Sequence, residues 1–262
     1  MDLDLGNRHV LVTGGSKGIG LACAQEFCRE GAQVTIVARS REGLDAALGQ
    51  LKAQGFACHA VMADLADADA ATRAVDEAQR LGGPVDVLVN SAGAARRTPF
   101  DELTPKAWHD AMQAKFFTYV HVMDPLIKRM GAAGRGAIVN VVGAGGKVAG
   151  PTHLAGGSAN AALMLASAGL AAAYGPRGVR VNVVNPGLTL TERLQEGLAA
   201  DARLQGRSAD EILKSQQQRM PLRRIATAQE IANAVVFLAS DRASYITGAI
   251  VAMDGAVSPI VV

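Results

Sequence analysis

The chain has 262 residues, of which 49% are hydrophobic and 19% charged. That length fits one large α/β domain or two small ones, and the composition excludes disorder. Twenty-six basic side chains nearly balance 24 acidic ones, giving a net charge of +2, so nucleic-acid or polyanion binding, which draws on a basic face, is not expected. Cys23, Cys28 and Cys58 show no CxxC spacing and cannot all pair. Neither a disulfide scaffold nor a metal site is expected. The N-terminus carries no basic and apolar leader. The longest apolar stretch, 161–174, is short of the roughly 20 residues that span a bilayer. The expectation is a soluble cytoplasmic protein with no membrane partner.

In chain order, residues 9–12 read as a buried strand and 21–30 as a helix. A second strand is expected at 34–38, a second helix at 44–54 and a weaker third strand at 57–62. Further strands are expected at 85–89, 137–142, 179–184 and 249–253. Buried β-branched strands alternating with helices imply βαβ units and a parallel sheet covered on both faces. No Pro/Ser-rich linker interrupts the series, so residues 1–262 are read as one domain. The polar stretch 188–224 lacks a strand pattern and reads as a small lid inserted before the last strand.

Directly after the first strand comes Thr13-Gly14-Gly15-Ser16-Lys17-Gly18-Ile19-Gly20, which opens a helix. Glycines there allow a tight turn and let backbone N–H groups reach a pyrophosphate at the helix N-terminus. A dehydrogenase preferring NAD(H) places an acid at the end of the second strand to bind the ribose 2′-hydroxyl. Here Ala38 and Arg39 stand at that place. Arg39 and Lys17 suit a 2′-phosphate, so NADP(H) is expected ahead of NAD(H).

From end to end the chain resembles the short-chain dehydrogenase/reductase family. The matching pieces are Thr13 to Gly20; Asp64 and Leu65; Asn90, Ser91, Ala92 and Gly93; Asn185, Pro186 and Gly187 with Thr191; and Tyr245 to Gly248 with Asp254 and Gly255. The resemblance implies a single-domain Rossmann fold with a seven-stranded, doubly wound parallel sheet. It implies cofactor contacts from Gly14, Ser16, Lys17, Gly18, Ile19 and Gly20. Asp64 would meet the adenine amino group and Leu65 its ring, while Asn90, Ala92 and Gly93 line the adenine-ribose side. Pro186, Gly187, Leu188 and Thr191 would hold the nicotinamide carboxamide.

The family reduces carbonyls with an Asn-Ser-Tyr-Lys tetrad. Counted on the family's spacing, those positions hold Lys115, Gly143, Gly156 and Asn160. Glycine has neither a proton to give nor a hydroxyl to polarise an oxygen. A positioned acid typically contributes about 10²–10⁴ in rate, so the tyrosine route is closed, and the missing serine and tyrosine leave a void above the nicotinamide. Lys115 and Asn160 stand exchanged relative to the family, so an ammonium from the other helix can serve the ribose; alternatively Lys115 reaches solvent or pairs with an acid. His153 is either a substitute acid or an exposed loop residue. Ser158 is read as the cap of the following helix. Arg193 and other lid cations form a solvated face or bind an anionic substrate tail.

The helix around Leu163 to Ala173 is apolar nearly all round. By resemblance it pairs with a second subunit, giving a homodimer or homotetramer, or a hetero-oligomer with an active relative. Three functions stay open, one of them a lyase or hydrolase that has reused the cleft. Another is a non-standard or catalytically inactive NADP(H)-binding member that serves a larger complex. The last is an NADP(H)-dependent oxidoreductase using Lys115, His153 or substrate-derived protons on an unknown small molecule.

Overall fold

The computed structural model describes residues 2–93 and 95–259. Seven strands form one parallel sheet: β1 (His9–Thr13), β2 (Gln33–Ala38), β3 (Cys58–Met62), β4 (Val87–Asn90), β5 (Gly136–Val141), β6 (Val179–Pro186) and, at the far edge, the last strand (Ile250–Met253). Their order in space is β3-β2-β1-β4-β5-β6 and then the last strand. Chain direction across the sheet reverses between β1 and β4, where Thr13 pairs with Asn90. The carboxyl ends of those strands diverge there, which opens the crevice that ligands use in such sheets.

Helices cover both faces, as buried strands require. Between β1 and β4 run α1 (Gly18–Arg29), α2 (Arg41–Ala53) and α3 (Ala68–Gly82). One long helical run then comprises α4 (Pro105–Ala111), a π-helical turn (Met112–Phe117) and α5 (Thr118–Ala133). After β5 comes α6 (Leu154–Tyr174). One apolar layer joins α1, α2 and the helix before the last strand through Cys23, Phe27, Leu44, Leu51, Ile231 and Val235. The other joins α3, α5 and α6 through Val75, Val122, Met123, Leu126 and Leu163.

The lid departs from expectation. It is bounded by two short paired strands, β7 (Thr189–Leu190) and β8 (Ala226–Thr227). Between them lie α7 (Glu192–Gln205) and α8 (Ala209–Arg219). These close on their own small core of Leu194, Leu198, Ile212, Met220 and Ile225. A two-residue pairing has no periodicity to betray it. The chain ends with α9 (Ala228–Ala239) and the last strand, β9.

Helix α6 is longer than the apolar stretch in the sequence suggested. With its last turn it spans Leu154–Arg177, and by length and composition it could cross a membrane, although half of it is buried inside the fold. The cysteines are free thiols, with Cys28 and Cys58 in hydrogen-bond contact at 3.1 Å.

Candidate active site

The crevice starts at the glycine turn. Gly14 has φ +66° and a side chain there would lie 2.8 Å from the Ala92 backbone; a side chain on Gly20 would lie 2.2 Å from the Gly14 carbonyl. Neither position tolerates a Cβ, so the turn after β1 packs directly against the turn after β4. Helix α1 begins with no side-chain cap and no acid in its first turn. By contrast α2, α3, α8 and α9 are capped by Ser40, Asp67, Ser208 and Thr227. The free first-turn N–H groups of α1, including those of Ile19 and Gly20, are what an anion satisfies. Thr191 lies across from Gly18, whose added Cβ would sit 3.4 Å from its methyl. Leu188 and Gly187 join β6 to this side, and Gly187 backs onto Asp254 after Pro186.

At the other end of the groove Arg39 is exposed and makes no hydrogen bond or ion pair among the described residues. Ser16 packs beside Gly43 at the start of α2, where Ser40 accepts from Gly43 N. The glycine turn and the start of α2 therefore pack against each other. Asp64 turns its carboxylate onto Ala66 N at 3.1 Å.

Three of the expected cofactor residues are also engaged within the chain. Lys17 does not lie free beside Arg39; its ammonium pairs with Glu192 of α7 at 2.7 Å, a bridge from the glycine turn to the lid. Leu65 is only 4% exposed and packs into the apolar layer. Asn90 is fully buried, and its amide is spent inside the sheet. It accepts from Thr13 Oγ1 at 3.2 Å and donates to Asn140 Oδ1 at 3.0 Å. Asn140 then donates to Ser167 Oγ of α6 at 2.9 Å. This chain satisfies polar atoms that would otherwise be costly to bury. Gly93 has a packing role too: a Cβ would come 2.1 Å from the Ala114 carbonyl.

That contact fixes the π-helical turn bearing Lys115. Thr118 Oγ1 lies within hydrogen-bond reach of the Ala114 and Lys115 carbonyls, at 3.3 and 2.9 Å, groups that a widened turn leaves loosely bonded. Lys115 Nζ donates to Tyr119 Oη at 2.7 Å and to the Val141 carbonyl at 3.2 Å, and Tyr119 Oη donates to that carbonyl at 2.6 Å. Lys115 thus does not run out to solvent, and it pairs with no acid among the described residues. Burial, reinforced by the Arg193 guanidinium, lowers its pKa to about 7. Tyr119, missed in the sequence, lies four residues on, a spacing that could have signalled the contact.

Asn160 is buried on α6, with its amide nitrogen 3.3 Å from where a Cβ on Gly143 would stand. It makes no hydrogen bond with Lys115, and its Oδ1 has no partner. The expected void at Gly156 is occupied from within the chain. A Cβ on Gly156 would lie 2.2 Å from His153 Cε1, and one on Gly145 would lie 2.7 Å from His153 Cδ2. The imidazole is wedged between two glycines. It is not an exposed loop residue: burial above all, then Arg97, Arg193 and Lys115, lowers its pKa to about 4 against the opposing pull of Asp201. Ser158 is not the helix cap either. Helix α6 already begins at Leu154, and Ser158 Oγ bonds the Leu154 carbonyl on the exposed side at 3.1 Å.

Comparison with known proteins agrees with this frame. A family model described as enoyl-(acyl carrier protein) reductase matches residues 14–258. Gluconate 5-dehydrogenase of Gluconobacter oxydans is 32% identical over 97% of this chain and 96% of its own. D-threitol dehydrogenase of Mycolicibacterium smegmatis is 37% identical over 97% and 94% respectively. L-sorbose reductase of Gluconobacter frateurii, solved with NADPH and L-sorbose, superposes with a TM-score of 0.91 at 30% identity and covers both chains completely. With the sheet order, the glycine turn and these full-length matches together, the chain belongs to the short-chain dehydrogenase/reductase family.

Proposed function

We propose that this chain binds NADP(H) and acts as an oxidoreductase whose proton is handled by Lys115 instead of a tyrosine. The observation that carries this reading is the setting of Lys115: a partly buried amine with no acid in reach among the described residues, held by Tyr119 and Val141 at the carboxyl end of β5. Its pKa of about 7 matches the value at which a general acid works best. The groove fits the cofactor. Gly14, Gly18 and Gly20 with the uncapped start of α1 would take the pyrophosphate, and Arg39 and Ser16 the 2′-phosphate. When bound, the nicotinamide supplies or accepts a hydride. In reduction, Lys115 Nζ gives a proton to the developing alkoxide and the amine is recharged from solvent, while Tyr119 keeps the nitrogen aimed. His153, neutral and wedged, shapes the wall.

Purified protein is expected to bind NADPH and to consume it with some member of an aldehyde, ketone and quinone panel. Reduction needs the ammonium, so its rate should hold below pH 7 and fall about tenfold per unit well above it; alcohol oxidation should rise over the same interval. Lys115→Met should lower turnover about 10²–10⁴-fold and abolish that pH dependence. Arg39→Asp should weaken NADPH binding roughly tenfold to a hundredfold, as loss of charge-assisted bonds does, and leave NADH binding intact.

A second reading is favoured by the glycines at 143 and 156, which leave no hydroxyl at either place. In it the chain binds NADP(H) without turnover, as a subunit of a larger assembly. NADPH binding with no consumption across the panel supports this reading against the first. In either case the chain is proposed to self-associate as a dimer or tetramer, or to join a related active subunit, through the outer face of α6.

A further inference from the structure

We infer that the mouth of the cleft beside Lys115 takes a substrate bearing a carboxylate, gripped by Arg193 and Arg97; this rests on the reading of that cleft as the substrate site. Arg193, Gly197 and Asp201 are spaced four apart and share one face of α7. That face closes on the loops after β4 and β5. Arg193 Nη2 donates to the Ala95 carbonyl at 3.0 Å. Gly197 gives way to Arg97, whose Nε would be 3.0 Å from a Cβ there. Asp201 accepts from Thr152 Oγ1 at 2.6 Å, and Thr98 N donates to the Thr152 carbonyl at 3.0 Å, so the two loops and α7 hold one another.

The charges in this assembly do not cancel. Two guanidiniums face one carboxylate, Asp201, which stands 3.9 Å from Arg97 and already accepts from Thr152 and Gln216. Glu196, on the same helix, makes no ion pair among the described residues but sits close enough to favour the charged form of Arg193, while Lys115 adds a third cation on the inner side, so three cations meet two carboxylates. Arg193 commits one of its five donors and is open to solvent from the mouth. One positive charge is left over, which suits a monoanion, and a guanidinium fork matches the flat carboxylate. The described residues contain three buried side-chain polar atoms without a partner: His153 Nδ1, Asn160 Oδ1 and Gln216 Oε1. Gln216 bonds Asp201, and Asn160 and His153 lie at the positions where the family's lysine and tyrosine space would be.

The test compares benzoylformate with its methyl ester, and 4-acetylbenzoate with its methyl ester, so that only the charge changes. NADPH consumption and calorimetric titration of the NADP⁺-loaded protein are both measured. At least one acid is expected to exceed its ester tenfold in kcat/KM or affinity. Arg193→Met and Arg97→Gln should bring that ratio towards one, and Arg193→Lys should restore part of it. If nothing turns over but acid binding remains and depends on the arginines, the carboxylate site stands and the oxidoreductase reading fails. Esters equal to acids in both pairs, no binding of either acid at millimolar concentration, or a ratio indifferent to both arginine variants would overturn the inference.

Discussion

A single imidazole decides what position 156 can hold. His153 Cε1 occupies the space in which a Cβ on Gly156 would grow, at 2.2 Å. Gly156→Ala is therefore expected to destabilise the protein by about 1–3 kcal/mol, as overpacking does. The same substitution in a His153→Ala background should cost markedly less, and a double-mutant cycle by urea denaturation measures the coupling. Additive costs would show that the ring does not fill that space. The result also bears on restoring the family's tyrosine, since Gly156→Tyr alone meets the same ring. Neighbouring Lys115 shows how one change of environment alters chemistry. The residue type is ordinary, but desolvation beside Arg193 brings its proton into the neutral range.

At the scale of elements, the site is held by contacts that join the ends of secondary structures. The π-helical turn is pinned by Gly93 and Thr118, and the strand ends of β1, β4 and β5 are tied through Thr13, Asn90 and Asn140 to α6. A comparable tie lies farther along the chain. Arg180 of β6 donates to the carbonyls of Leu238, Ala239, Ser240 and Ile246, at 2.7 to 3.3 Å. Three of these lie at the end of α9, where carbonyls lack helical partners and a cation is favoured. Arg180→Met should lower unfolding free energy by about 2–4 kcal/mol, because several carbonyls lose their donor at once. Equilibrium denaturation checks this, and a change under 0.5 kcal/mol would mean that water replaces the guanidinium.

Across the whole molecule, the most conspicuous unpaired feature is the outer face of α6. Leu165 is 78% exposed there, and its neighbours on that face, Ala161, Gly169 and Ala172, are small and exposed too. Small residues permit close approach of a second helix, and an apolar side chain between them gives it something to bury. The wild-type chain should sediment as a dimer or tetramer, and Leu165→Glu should shift it towards monomer. A monomer at all concentrations in the wild type would remove the self-association proposal.

Much of this architecture is legible without coordinates. Seven β-branched runs and the glycine turn are local signals, because strand burial and positive φ leave their mark on adjacent residues. The glycines at 143 and 156 are likewise read directly from the residue order. The fates of His153, Lys115, Arg97 and Arg193 are not legible in this way. Each depends on which distant group lies opposite: two glycines for the imidazole, Tyr119 and Val141 for the amine, and the loops after β4 and β5 for the guanidiniums. The burial of Leu65 and Asn90 is not legible for the same reason, since a motif fixes the backbone but not the direction of burial. Residue order thus determined the sheet and the cofactor turn. Tertiary packing alone decided where charge and protons reside, because desolvation and close approach arise only when segments remote in sequence are pressed together.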